Sequence, residues 1–261
     1  MDLKVIYKNA RCAVLEIEDG GTYETSRMYR IYLNGEFIRE TGKAVTSIYN
    51  LKPDTGYQVE ARSGDGLVFK TSFATDSEYV TLDVRDFGAK GDGIQDDPLF
   101  IRAAIMACPE KSRVLIPAGT YRIVSLFLKD NVNIELAEGA VLSAYTDRTR
   151  FPVFQGMIQS YDEQGEYNLG TWEGNPLPMF TGIITGVNVK EAVIYGQGII
   201  DGNAGTGEGN WWHEPKVIHT GLPPQDDFPG EVPAGDGSGN HSEEQSQLEH
   251  PSLFFRPLKI L

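Results

Sequence analysis

The stretch "KDNVNIELAEGAVL", residues 129–142, returns in altered form as "KEAVIYGQGII", residues 190–200. Each copy runs from a lysine and an acidic residue through a short β-favouring run and a glycine turn into a second apolar strand. Such a unit cannot bury its apolar side chains alone, but stacking one copy on the next does. Short β segments continue around the two copies, as "RVLIPAGTYRI" (113–123), "LFLKD" (126–130) and "GIITGVNV" (182–189), separated by Gly, Asn and Asp and by no helical periodicity. That order predicts a solenoid, a right-handed parallel β-helix.

Upstream, "LDVRDFGAKGDGIQDDPLFIRAAIMACP" (82–109) holds the one clear helix signal. Phe100, Ile101, Ala104, Ile105 and Cys108 recur at helical spacing, and Pro109 ends the run. Pro98 suits the first helical position, where its missing N–H costs nothing, and Asp97 before it is expected to cap the helix. Asp96 and Asp97 are therefore read as capping and dipole-neutralising groups rather than as a catalytic pair. The helix is expected to close the end of the solenoid.

Residues 1–76 show period-2 alternation in "AVLEIE", "MYRIYLNGEFIRET", "YQVEARS" and "LVFKTSFAT". Asn34-Gly35 is a strong hairpin signal because a type I′ turn needs φ > 0 at both central positions. A small β-sandwich follows, with residues 77–83 as a linker and 84–261 as the N-terminal part of the β-helix, so the fold class is all-β. Leu51, Pro53, Thr55 and Tyr57 stand at the spacing of a tyrosine corner, in which a tyrosine hydroxyl ties a strand crossover to backbone upstream. This segment resembles the fibronectin type III corner, and the sandwich is expected to be an accessory module.

The chain carries 37 acidic and 23 basic residues, a formal net charge of −14, which repels nucleic acids and anionic membranes. No apolar run reaches the roughly 18 residues of a membrane span. The first 20 residues lack a secretory signal, an expectation of cytoplasmic location unless a leader has been removed to give a secreted or periplasmic protein. Cys12 and Cys108 fall in different modules and are expected as free thiols. His213, His219, His241 and His250 show no metal-ligand spacing, so neither metal nor cofactor is expected.

Two long insertions interrupt the β pattern. The first, about 146–180, carries Arg148, Arg150, Tyr161, Tyr167, Trp172 and Glu173. Loops on a rigid scaffold are where binding groups concentrate. The second, about 214–252, has no Lys or Arg between Lys216 and Arg256 and seven acidic residues from Asp226 to Glu249. Between them Gly205, Gly207 and Gly209 lead to Trp211 and Trp212. Adjacent strand residues face opposite sides, so one tryptophan is expected to pack and the other to reach a ligand.

"VRDFGAKGDGIQDD" (84–97), "IPAGTYRI" (116–123) and "VIYGQGIIDGNAGTGEGNWW" (193–212) together resemble the N-terminal half of glycoside hydrolase family 28, the polygalacturonases, and "WEGNPLPMF" (172–180) is similar to an insertion of bacterial exo-acting members. The resemblance implies inverting hydrolysis of α-1,4-galacturonosidic bonds in pectin, by one carboxylic acid and one separated carboxylate. It also implies an Asn-Thr-Asp-Gly segment, an Asp-Asp pair, a Gly-His-Gly histidine and an Arg-Ile-Lys pair. None of these strings occurs at a matching position in the 261 residues. The chain by itself is therefore expected to be inactive and, with an open solenoid end, to need a partner or be poorly soluble. Expected contacts to a pectic polysaccharide or oligogalacturonide are Trp172, Glu173, Trp211, Trp212 and Arg148, with no catalytic residue assigned. The other readings are a non-catalytic carbohydrate-binding or tailspike-like β-helix and, third, a pectate lyase, which would need calcium ligands and an arginine base.

Overall fold

A computed structural model describes residues 2–159, 165–172 and 174–205 of the chain. Seven strands open it: β1 (Asp2–Lys8), β2 (Ala13–Glu18), β3 (Glu24–Leu33), β4 (Glu36–Lys43), β5 (Val45–Ile48), β6 (Gly56–Ser63) and β7 (Val68–Ala74). They form two antiparallel sheets, β1-β2-β5 and β4-β3-β6-β7. Alternation along each strand turns Leu3, Leu15, Ile17, Tyr29, Ile31, Val59 and Ala61 into one core between the sheets. The β3–β4 turn falls at Asn34 and Gly35, with φ of 50° and 86°. Tyr57 accepts a hydrogen bond from the Lys52 N–H at 2.9 Å, which pins the crossover before β6 as the Leu-Pro-Thr-Tyr spacing predicts.

The chain then becomes parallel. Strands β8 (Thr81–Asp83), β9 (Asp92–Asp96), β10 (Arg113–Ile116), β11 (Gly119–Ile123), β12 (Leu126–Phe127), β13 (Asn133–Leu136) and β14 (Ala140–Ala144) precede the first insertion. The insertion holds β15 (Val153–Phe154), β16 (Met157–Gln159), β17 (Glu166–Asn168), β18 (Thr171–Trp172), β19 (Asn175–Pro176) and β20 (Met179–Phe180), and after it come β21 (Ile184–Thr185), β22 (Val193–Gly196) and β23 (Ile199–Asp201). One parallel sheet has the order β22-β13-β10-β8, a second β23-β14-β11-β9, and β12 pairs with β21 on a third side. These are stacked coils of a parallel β-helix.

The two copies of the repeat lie directly on one another, Asn133 opposite Val193 and Leu136 opposite Gly196. Like side chains then stack inward across coils: Leu82, Val114, Ile134 and Ile194 in one ladder, Tyr121, Leu142 and Ile200 in another. Gly196 has φ 120°, and a Cβ there would lie 2.1 Å from the Leu136 carbonyl oxygen, so the close approach of the coils requires glycine. Helix α1 (Pro98–Ala107) stands where the first coil would have its third strand and buries Ile101, Ala104 and Ile105 in the solenoid core.

Asp97 departs from expectation. It occupies the position before the helix, but its side chain makes no capping bond. Fully buried, its carboxylate accepts instead from the N–H groups of Lys90 (2.9 Å) and Gly91 (3.2 Å) and from the Gln95 amide (3.2 Å). The reason is the backbone just upstream: positive φ at Gly88, Gly91 and Gly93 folds "FGAKGDG" back over the helix start and turns its amides toward Asp97. Asp96 does not cap either; it faces outward toward Tyr145 and Arg150.

Residues 77–83, read as a linker, are in part structural. Thr81–Asp83 pairs in parallel with Arg113–Leu115, and Tyr79 N–H bonds the Lys111 carbonyl at 2.7 Å. The sandwich packs on the outer face of the first parallel sheet, where Cys12, Val14 and Tyr195 are buried together with Tyr7, Tyr49 and Val193 around them. A chain of charges crosses this seam. Arg11 of the sandwich meets Glu78 at 2.6 Å, Arg113 lies 3.4 Å from Glu78 and bonds Glu135, and Tyr195 completes the row at Glu135. Cys12 and Cys108 are both buried free thiols, as expected. Among the described residues no helix is long and apolar enough to cross a membrane.

Candidate functional site

The second parallel sheet turns Tyr121, Ile123, Leu142 and Ala144 inward, so their neighbours Arg122 and Ser143 face out. Register then fixes a row across the sheet: Asp96 opposite Arg122, Arg122 opposite Ser143, Ser143 opposite Asp201. At the end of β14 the Tyr145 N–H bonds the Ile123 carbonyl at 2.9 Å, holding Tyr145 beside this row as the chain leaves for the insertion. A single 3-10 turn, Arg148–Arg150, follows; the Asp147 carboxylate caps it by accepting from Thr149 N–H at 3.0 Å.

The turn carries Arg150 back over the sheet. Its guanidinium carbon lies 3.7 Å from the centre of the Tyr145 ring and that of Arg122 lies 4.3 Å from it, so two cations share one aromatic side chain. Arg150 also bonds one oxygen of Asp96 at 2.6 Å, and the Tyr145 hydroxyl donates to the other. The Tyr145 bond, then the Arg150 bond, holds the Asp96 carboxyl below its ordinary pKa. Burial, then the Asp96 carboxylate, raises the Tyr145 phenol. Asn203 braces the next coil by donating to Ser143 Oγ at 2.9 Å.

Two guanidinium groups held over one aromatic ring are suited to an anionic sugar: the cations can meet its carboxylate, while the ring, stacked by both Arg122 and Arg150, keeps them side by side. Asp96 is held ionised, which is the wrong state for protonating a leaving oxygen. The arrangement is chemically suited to holding an anion rather than to protonating a leaving group.

Of the residues expected to touch ligand, Arg148 lies in the 3-10 turn, two residues before Arg150. Trp172 is placed by its backbone in β18, which pairs with β19 at the far part of the insertion. Glu173, Trp211 and Trp212 lie outside the described residues, as do Tyr161 and the acidic stretch 214–252. The insertion is itself a set of nested ribbons, β15 with β20, β16 with β17 and β18 with β19. The sequence reading did not bring Arg122, Tyr145 and Asp96 together as one cluster. For Arg122 the signal was present, since the alternation of "GTYRI" sends it opposite to Tyr121. For Tyr145 and Asp96 it was not, because their meeting depends on coil register.

A sandwich followed by three-sided parallel coils with a charged and aromatic outer face defines a pectate-lyase-like β-helix protein. Residues 81–218 match the family described as rhamnogalacturonase A/epimerase, pectate lyase-like, and the chain belongs to that family. It is 30% identical over 168 residues to an exo-poly-α-D-galacturonosidase of Dickeya chrysanthemi, covering 59% of this chain and 25% of that one. A 69-residue stretch is 41% identical to plasmin and fibronectin-binding protein A of Streptococcus pneumoniae, covering 25% of this chain and 10% of that protein. The structure is similar to the family 28 exopolygalacturonase of Yersinia enterocolitica, with a TM-score of 0.52 at 22% identity over 78% of this chain and 41% of that one. The chain thus spans a quarter of the curated galacturonosidase it matches and about two fifths of the solved one, and the shared fold is the parallel β-helix.

Proposed function

We propose that this chain is the substrate-holding part of a polygalacturonase-type glycoside hydrolase, acting on α-1,4-linked galacturonate in pectin. The observation that carries the reading is the Arg122–Tyr145–Arg150 cluster on the outer sheet face. It offers positive charge, held in place by an aromatic ring, where the insertion opens, in a protein whose net charge of −14 would otherwise repel a polyanion. Family membership and the galacturonosidase relative support the same substrate class.

The 261 residues do not hydrolyse polygalacturonate by themselves. The Asn-Thr-Asp-Gly, Gly-His-Gly and Arg-Ile-Lys strings that the family resemblance implies are missing from the sequence, and Asp96 is committed to Tyr145 and Arg150. A purified sample should bind oligogalacturonates without releasing reducing ends from polygalacturonate. Release of reducing ends that persists through repurification would reject the inactivity, and failure to bind any oligogalacturonate would reject the substrate class. Appearance of an unsaturated uronide would instead select the lyase reading.

A further inference from the structure

A concave site apart from the Tyr145 face lies where the sandwich meets the solenoid. A cleft of about 300 Å³ opens there, walled by Ile38, Arg39, Tyr49, Asn50 and Tyr57 of the sandwich and by Gln197 of the fourth coil. That volume is at the lower end of ligand-sized cavities, roughly 300–1,000 Å³, and suits one sugar ring.

The cation in it is out of place for a purely structural sandwich. Arg39 lies on the edge strand β4, opposite Ile31, a fully buried core residue, and so faces the interior side of its sheet. Its neighbour Glu40 faces the other way and stands 4.0 Å from Arg30. Among the described residues no carboxylate lies within ion-pair distance of Arg39. An inward charge on an edge strand also guards against edge pairing, but that role calls for no cavity beside the charge. A half-buried guanidinium without a counterion gains from any anion that enters.

The remaining walls are matched to a sugar. Tyr57 has its hydroxyl engaged by Lys52 N–H and its ring stacked on Phe73, with centroids 5.6 Å apart, so the ring is held fixed. Asn50 sits in a left-handed turn with φ 61°, and the Gln197 backbone is tied to the Leu136 carbonyl at 2.9 Å, so both amide side chains start from anchored backbone. We propose that this cleft binds a single uronate unit of a pectic chain: Arg39 takes the carboxylate, Asn50 and Gln197 the hydroxyls, and a tyrosine ring the apolar face. The proposal rests on the pectic reading above and places a second contact on the sandwich, away from the Tyr145 face.

The test is titration of the whole chain with digalacturonate and with the neutral disaccharide galactobiose, alongside hydrogen–deuterium exchange mapping. Digalacturonate should protect amides at 48–51 and at 197, Arg39→Gln should weaken that binding at least tenfold with an unchanged circular dichroism spectrum, and galactobiose should not bind. Gln197→Ala, on the opposite wall, should weaken it severalfold and serves if Arg39→Gln does not fold. Unchanged affinity in Arg39→Gln, or protection confined to residues 143–150, overturns the cleft while leaving the pectic reading intact. Absence of saturable digalacturonate binding overturns both, and equal binding of galactobiose overturns the role of the carboxylate and with it the proposal.

Discussion

The Tyr195 hydroxyl in the fourth coil donates to the Glu135 carboxylate in the third at 2.9 Å. This bond is the last link of a row that begins in the sandwich at Arg11 and passes through Glu78 and Arg113. The row sits on the outer sheet face, under the sandwich, and so joins the two modules and three successive coils. Its middle members are well covered, with side-chain exposures of 6% for Glu78 and 14% for Arg113. Removing one partner of such a row leaves opposite charge buried and uncompensated, and the energetic consequence follows from that imbalance.

Glu78→Gln should therefore lower stability by about 3 kcal/mol at neutral pH, measured by urea unfolding. Its pH dependence has a definite sign. Burial alone would raise the Glu78 pKa, but the bonds from Arg11 and Thr81 and the charges of Arg113 and Arg11 outweigh burial and hold it below the ordinary value. The unfolded chain then binds the proton more readily. The contribution is complete above the usual glutamate range, near about pH 4.3, and is lost as pH falls through the lower folded value. Wild-type stability should fall on acidification below about pH 5, and the variant should show a shallower fall there; parallel curves would remove Glu78 from the account.

Cys12 reports the same seam by its chemistry. It is fully buried beside Tyr195, and burial, with a smaller contribution from Glu135, pushes its thiol up to about 12. At pH 8 it should resist alkylation in the native protein, since the thiolate is the reacting species. Glu78→Gln should accelerate labelling of Cys12, followed by peptide mapping, more than labelling of Cys108 at the C-terminal end of the helix. Equal acceleration at both thiols would indicate global unfolding instead of seam opening.

Much of the solenoid was legible because its signal is local and repeated. Residues 129–142 and 190–200 echo in sequence and stack in space, and the helix falls at 98–107 within the span its periodicity marked. What escaped was information carried by register. Asp97 looked like a cap because aspartate before proline usually is one, whereas three positive-φ glycines upstream deliver competing N–H donors to it. Asp96 and Tyr145 are 49 residues apart, and their bond reaches from the first coil to the third because both pair with the second. The β8 strand was hidden for a similar reason, since three residues carry no periodicity until Arg113–Leu115 lies alongside.

The glycine at the start of "GQG" is the sharpest single test of that stacking. Gly196→Ala places a methyl group 2.1 Å from the Leu136 carbonyl oxygen at a φ of 120°, and backbone is on both sides of the clash. The third and fourth coils cannot then keep their spacing. A loss of about 3 kcal/mol or more is expected, seen as a lowered urea midpoint or as loss of soluble protein. Gly64→Ala, where among the described residues a Cβ meets nothing within 4 Å, is the control and should be close to neutral.

Arg150 and Tyr145 carry the last prediction, on ligand binding. Arg150 has two commitments, the Tyr145 ring and the Asp96 carboxylate, so Arg150→Ala removes a cation from the face and releases Asp96 as an unopposed negative charge toward a polyanion. Both effects act in one direction. Affinity for oligogalacturonate should drop by about tenfold to a hundredfold, corresponding to one charge-assisted bond of about 1.5–3 kcal/mol. Tyr145→Phe keeps the ring but removes the donor to Asp96, and should weaken binding less than Tyr145→Ala does. Asp96→Asn separates the two contributions: it frees Arg150 and removes the repelling charge, so binding should hold or strengthen, and its salt dependence should steepen because the cations then meet ligand instead of a neighbour. Weaker binding in Asp96→Asn, measured by calorimetry across a salt series, would mean that Asp96 positions Arg150 for the ligand rather than competing for it.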